Sequence, residues 1–266
     1  MWSVVGHNSN KRYFESVIKN GRLTHAYLFS GPEMIGKKKF AYELAKLLNN
    51  REQENDPDFK LVGPKIEDVR ELKSFLAKKP YFGPYQIAII DNADQLTTEA
   101  SNAVLKTLEE PNGSAILILI TSRPKLLLPT IYSRCQEVRF LSLSDSEIDF
   151  LISAKLGLED KILLKQLAYG RPGWIVKNAD NLENIKKSIK EFNKVLGQGI
   201  FEKIQYASKV YNEETLLELI NNLTYWHYSQ DQKSTKLLRG LTQLSNIISQ
   251  PQYNHRLAVE NFLISL

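Results

Sequence analysis

Residues 87–140 read IAIIDNADQL (87–96), TTEASNAVLKTLEEP (97–111), then SAILILITSRPKLLLPTIYSRCQEVRF (114–140). Ile87 to Ile90 is a short unbroken apolar run, the pattern of a strand buried on both faces of a parallel sheet, and it stops at Asp91. A carboxylate at the carboxyl end of such a strand faces the crevice where open α/β sheets bind ligands. Ala115 to Ile120 is a second run of the same kind and ends at the polar pair Thr121 and Ser122. Between them, Thr97 to Glu110 places Ala100, Ala103, Val104 and Leu108 on one helical face, and Pro111 with Asn112-Gly113 stops it. Strand, helix, strand predicts a crossover unit that delivers an acid and a hydroxyl to one sheet edge.

Nearer the N-terminus, Ala26 to Phe29 predicts a third buried strand, leading into Gly31-Pro32-Glu33-Met34-Ile35-Gly36-Lys37-Lys38. That run matches G-x-x-x-x-G-K and departs at the next position, where a Ser or Thr hydroxyl would bind magnesium. In such a loop the amides and the following helix N-terminus surround phosphate oxygens, and the lysine adds a point charge. Lys38 stands at the hydroxyl position, and an ammonium repels a cation. The strand before the loop and a helix after it, with Phe40, Leu44, Leu47 and Leu48 on one face, favour a nucleotide loop over an ordinary glycine turn. The loop is compatible with bound ATP or ADP, but no cofactor is required by the reading.

Residues 1–24 predict a helix closed by Asn20-Gly21, Asn49 to Asp58 a solvated polar loop, and Ile66 onward a helix running to Pro80. Asn92 follows Asp91, and an amide cannot take the proton of an attacking water. Asp94 is either a substitute base or a helix cap, and its position favours the cap. Arg134, after the Pro129-Thr130 turn, reads by itself as a solvated surface charge; only within this series of motifs does it read as an arginine finger reaching a neighbour's phosphate site.

The chain has 266 residues, enough for two or three compact units. A formal charge of +5 is mild, compatible with a nucleic-acid-facing surface but favouring an ordinary cytoplasmic protein when taken alone. A single cysteine, Cys135, excludes an intrachain disulfide and a cysteine zinc site. His7, His25, His227 and His255 have no ligand spacing and are expected at the surface or in caps. No apolar run approaches the roughly 20 residues of a membrane span, and no signal-peptide core is present, so the cytoplasm is expected.

These motifs, together with HAYLFSGP (25–32), DPDF (56–59), IEDVRELK (66–73), LLPTIYSRC (127–135), GRPG (170–173) and NHRLAVENFL (254–263), resemble the delta-prime family of bacterial DNA polymerase III clamp-loader subunits, within the AAA+ superfamily. The resemblance implies an AAA+ α/β domain over 1–141 with a degenerate phosphate loop (Gly31, Gly36, Lys37, Lys38). A helical lid over 142–178 and an all-α collar over 179–266 would follow. It makes Asp91 and Asn92 the Walker B-like pair, Thr121 and Ser122 the sensor-like pair, and Arg134 an arginine finger acting in trans. Three departures agree: Lys38 for the magnesium hydroxyl, Asn92 for the catalytic acid, and Gly173 where active subunits carry a lid arginine. They imply a subunit that does not turn over ATP, within a complex of gamma/tau and delta subunits that loads the sliding clamp on primer–template DNA. Many relatives carry a four-cysteine zinc module; here only Arg51 to Asp56 remains, and no zinc is expected. The competing readings are an autonomous AAA+ ATPase of helicase-loader or remodelling type, and a DNA-binding module acting alone.

In the last third, Ser144 and Glu147 form a capping box before Ile148, Leu151 and Ile152, and Ile162, Leu164, Leu167 and Ala168 give a second lid face. Helical spacing continues through Ile185, Ile189, Phe192 and Leu196; Phe201, Ile204 and Tyr211; Leu216, Ile220, Leu223 and Trp226; Leu237, Leu241, Leu244 and Ile248; and Leu257, Phe262 and Leu263. Trp226 and Tyr228 are expected in the core.

Overall fold

The structure is a computed structural model and describes residues 2–52, 56–152, 156–211, 216–230, 234–250 and 252–266. Two compact units emerge: Met1–Glu147 with Gly170–Gly173, and Ile148–Tyr169 with Trp174–Leu266.

In the first unit, β1 (Ala26–Ser30), β2 (Phe59–Val62), β3 (Gln86–Ile90), β4 (Ala115–Thr121) and β5 (Gln136–Arg139) form one sheet in the order β2-β3-β4-β1-β5. Every pairing is parallel. The apolar runs are continuous because both faces are covered. Phe29, Ile87, Ile89 and Ile118 pack with Phe14 of α1 (Asn8–Lys19) and Phe40 and Leu44 of α2 (Lys37–Asn49). The alternate residues Leu28, Ala88, Ile90 and Leu117 pack with Leu72 of α3 (Ile66–Leu76) and Val104 of α4 (Thr98–Glu109). A short α5 (Pro129–Tyr132) precedes β5. The chain leaves β1, crosses past β4 and β3 to β2, and so opens a crevice at the carboxyl ends of β1 and β4.

Several expected boundaries move. The first helix occupies only Asn8–Lys19, because Gly6 and His7 both take positive φ (71° and 55°) that a helix cannot use. The third ends at Leu76 rather than Pro80. Leu47 is exposed, since Leu44 and Leu48 already fill that face of α2. The polar run before β2 is not simply solvated: Asp56 and Asp58 are buried, while residues 53–55 lie outside the described residues.

The second unit is helical: α7 (Leu158–Ala168), α9 (Leu182–Leu196), α10 (Ile200–Val210), α11 (Leu216–Ser229), α12 (Thr235–Ile248) and α13 (His255–Ser265), with α6 (Asp145–Asp149) and α8 (Pro172–Asn178) at the junctions of the two units. Its core includes Leu164, Leu167, Ile185, Ile189, Phe192, Ile220, Leu223, Leu241, Leu244 and Leu263. Trp174 is buried beside them, and its Nε1–H donates to Asn222 Oδ1 at 3.1 Å. The capping box at Ser144 forms, its N–H donating to Glu147 Oε2 at 2.9 Å. The spacing overstated some faces. Ile162, Phe201, Ile204, Leu257 and Tyr228 are exposed, and the buried positions of α10 are Lys203, Ala207 and Val210. Trp226 is half-buried.

Candidate functional site

The crevice at the carboxyl edge of the sheet holds a cavity of about 350 Å³ between the phosphate-type loop, the end of β3 and the end of β4. Each wall has a local cause. Gly31 sits at φ 144°, and a Cβ there would stand 2.2 Å from the Phe140 carbonyl oxygen, so only glycine lets β1 turn into the loop beside β5. Gly36 sits at φ 100°, setting the turn into α2.

Lys37 is buried, and its Nζ donates to the carbonyl oxygens of Gly31 and Pro32, at 2.6 Å each. Burial pushes its ammonium down to about 8, against the opposing pull of Glu33, Asp91 and Asp94. The loop thus folds back on its own lysine. Lys38, the residue at the magnesium-hydroxyl position, is exposed and places Nζ 3.1 Å from Asp91 Oδ2. Asn92 takes φ 53°, turning the chain sharply after Asp91, and its N–H donates to Asp91 Oδ1 at 3.1 Å. A magnesium ion does not fit this donor set, because the carboxylate that would hold its water shell faces an ammonium where the hydroxyl ligand should be.

Asp94 is not a helix cap. It lies in a single 3₁₀ turn, Ala93–Gln95, and accepts from Thr121 Oγ1 at 2.6 Å across the crevice. The cap of α4 is Thr97, whose side chain accepts from the Ala100 N–H at 3.2 Å. Thr121 is therefore fixed between Asp94 and the Arg123 N–H, which donates to it at 2.9 Å. Ser122 Oγ reaches Glu33 Oε1 at 3.3 Å.

His7 lies beneath the loop rather than at the surface. Its Nε2–H donates to the Ile35 carbonyl at 2.8 Å, its ring meets the edge of Phe140, and burial lowers its pKa. The Gly173 N–H donates to the Met34 carbonyl at 2.8 Å, and a Cβ on Gly173 would lie 2.8 Å from the same oxygen. The sequence pattern gave no sign of either contact, because each joins segments distant along the chain.

Arg134 stands outside this crevice. It is partly exposed (38% of its side chain), pairs with Glu109 Oε1 at 2.9 Å, and donates to the Thr130 carbonyl at 3.1 Å. The neighbouring Cys135 is half-buried, and burial pushes its thiol up to about 12, which makes it inert. A larger cavity, about 750 Å³, opens on the far side of Gly31. Its carboxylate, Glu137, is already bound by Ser30 Oγ (2.6 Å), Tyr132 OH (2.6 Å) and Arg139 Nε (3.0 Å). The chemistry-bearing residues face the smaller one.

Residues 6–61 and 62–144, more than half of the chain, match the family model described as DNA polymerase III, delta subunit. The chain is 36% identical over 153 residues to the DNA polymerase III subunit delta' of Bacillus subtilis, covering 50% of this chain and 46% of that protein. It is 32% identical over 188 residues to the DNA polymerase III subunit tau/gamma of Haemophilus influenzae, covering 61% of this chain and 27% of that one. The match thus spans less than half the length of either relative. Among solved structures, a DNA polymerase III gamma subunit-related protein of Thermotoga maritima superposes with a TM-score of 0.58 at 21% identity, over 95% of this chain and 97% of that one. That likeness is one of fold.

Proposed function

The chain belongs to the DNA polymerase III delta subunit family and carries its α/β AAA+ fold with a helical C-terminal region, and from that premise we propose that it is a delta-prime-type clamp-loader subunit: a stator that does not turn over ATP and supplies Arg134 to a neighbouring ATPase site. The observation that carries the first half is the 3.1 Å pair between Lys38 and Asp91. In a hydrolysing site the acid orients magnesium's waters and a second carboxylate polarises the attacking water. Here the acid is paired with a lysine, its neighbour Asn92 is an amide, and Asp94 is engaged by Thr121.

The second half rests on where Arg134 sits. Its partner Glu109 is half exposed, so the pair is worth at most about 1 kcal/mol and exchanges readily for a phosphate. A guanidinium donated in this way contributes about 10³-fold or more to phosphoryl transfer.

In this reading the partners are gamma/tau-type ATPase subunits and a delta subunit. The complex acts on the sliding clamp and on primer–template DNA, in the cytoplasm. Residues 142–178 serve as lid and 179–266 as collar, and the chain needs no cofactor of its own. The test is turnover by the purified chain with magnesium and ATP. The stator reading predicts hydrolysis at background; robust magnesium-dependent turnover would make the chain an autonomous AAA+ ATPase instead.

A further inference from the structure

At the opposite edge of the sheet, where the strands begin, the turn Pro80-Tyr81-Phe82-Gly83-Pro84 presents two consecutive aromatic rings to solvent. Tyr81 is 68% exposed and Phe82 67%. A connection between α3 and β3 has no need of them, since large apolar side chains are ordinarily withdrawn from water.

The turn is held from below by a fully buried carboxylate. Asp58 accepts the N–H groups of Tyr81 (2.6 Å), Phe82 (2.7 Å) and Gly83 (2.9 Å), and the Gln86 side-chain amide at 2.9 Å. Burial opposes its ionisation, but the three amides and the Arg51 charge outweigh that and hold the carboxyl below its usual range. Asn49 closes the other side: a Cβ on Gly83 would come within 2.4 Å of its amide group. Two prolines stiffen the ends. The rings are therefore displayed on a rigid support, which lowers the ordering cost of whatever they meet.

The charge around the turn selects the partner. The Arg51 guanidinium stacks on Phe82 at 4.2 Å from the ring centroid, and Lys78 and Lys79 are exposed just ahead of the turn. Of the carboxylates flanking it among the described residues, Asp56 and Asp58 are buried and Glu52 is paired with Lys46. Exposed aromatic faces backed by a stacked arginine and flanked by lysines are the elements that hold unpaired bases and their phosphates.

We propose that the Tyr81–Phe82 turn is a stacking platform for single-stranded nucleic acid. It goes beyond the stator reading and does not depend on Arg134. The test uses the full chain and a fluorescein-labelled oligothymidylate of about 20 nucleotides, longer than the strand one such module covers. The wild type is expected to bind saturably, more weakly as salt rises. The double variant Tyr81→Ala/Phe82→Ala is expected to lose about tenfold or more while its melting curve stays unchanged. The conservative Phe82→Trp retains binding, and emission from the new indole is quenched at saturation. Equal affinity for wild type and double variant would overturn the proposal, leaving charge alone as the cause, and so would unquenched indole emission. Absence of saturable binding would also overturn it, above all if the double variant instead fails to assemble with other loader subunits, which would make the turn a protein-docking tip.

Discussion

Lys38 Nζ and Asp91 Oδ2 lie 3.1 Å apart, joining the first turn of α2 to the end of β3 across the crevice where an AAA+ site would hold its metal. One substitution thus acts twice, removing a hydroxyl ligand and placing a cation on the acid that would otherwise serve the same ion.

Lys38→Thr tests this pair. It restores the hydroxyl and frees Asp91, so weak magnesium binding is expected by isothermal titration calorimetry, and none is expected of the wild type. Turnover is expected to stay at background, because Asn92 still lacks a carboxylate. Measurable hydrolysis by the single variant would show that the catalytic acid lies elsewhere, with Asp94 the first suspect.

Gly31→Ala places a Cβ against the Phe140 carbonyl and forces an L residue to φ 144°. The expected cost is about 2–4 kcal/mol of unfolding free energy in a denaturant titration. The same change at Gly113, where a Cβ would meet nothing within 4 Å, is expected to be nearly neutral.

Asp94→Ala distinguishes the crevice bond from a helix cap. It leaves the buried Thr121 hydroxyl without its acceptor and is expected to cost about 1–3 kcal/mol. Thr97→Ala, which removes the actual cap, is expected to cost about 1 kcal/mol.

Asp58→Asn removes a charge that accepts three backbone amides and is expected to cost about 2–3 kcal/mol at neutral pH. The folded carboxyl titrates below its ordinary 3.8. Its stabilisation is therefore complete above that value and is lost as pH falls through the lowered one. The stability difference between wild type and variant should hold steady from neutral pH down to about 4 and shrink below it.

The three central strands β1, β3 and β4 were readable from the sequence because they are buried throughout and so announce themselves as continuous apolar runs, two of them ending at Asp91 and Thr121. The phosphate-type loop was readable because its glycines are spaced by backbone geometry. What escaped were contacts between distant segments: His7 under Ile35, Asp58 beneath the 81–83 turn, and Asp94 on Thr121. Periodicity also overfilled the helical core. In α10 it chose Phe201 and Ile204, whereas packing turns Ala207 and Val210 inward. Spacing tells which residues share a face, not which face is covered.

DNA-stimulated ATP turnover of a reconstituted loader carrying Arg134→Ala measures whether this guanidinium acts in trans. Normal assembly is expected, with a fall of about 10³-fold at the one site this chain would complete. Unchanged turnover in a normally assembled complex would contradict it, and would leave Arg134 as nothing more than the surface partner of Glu109.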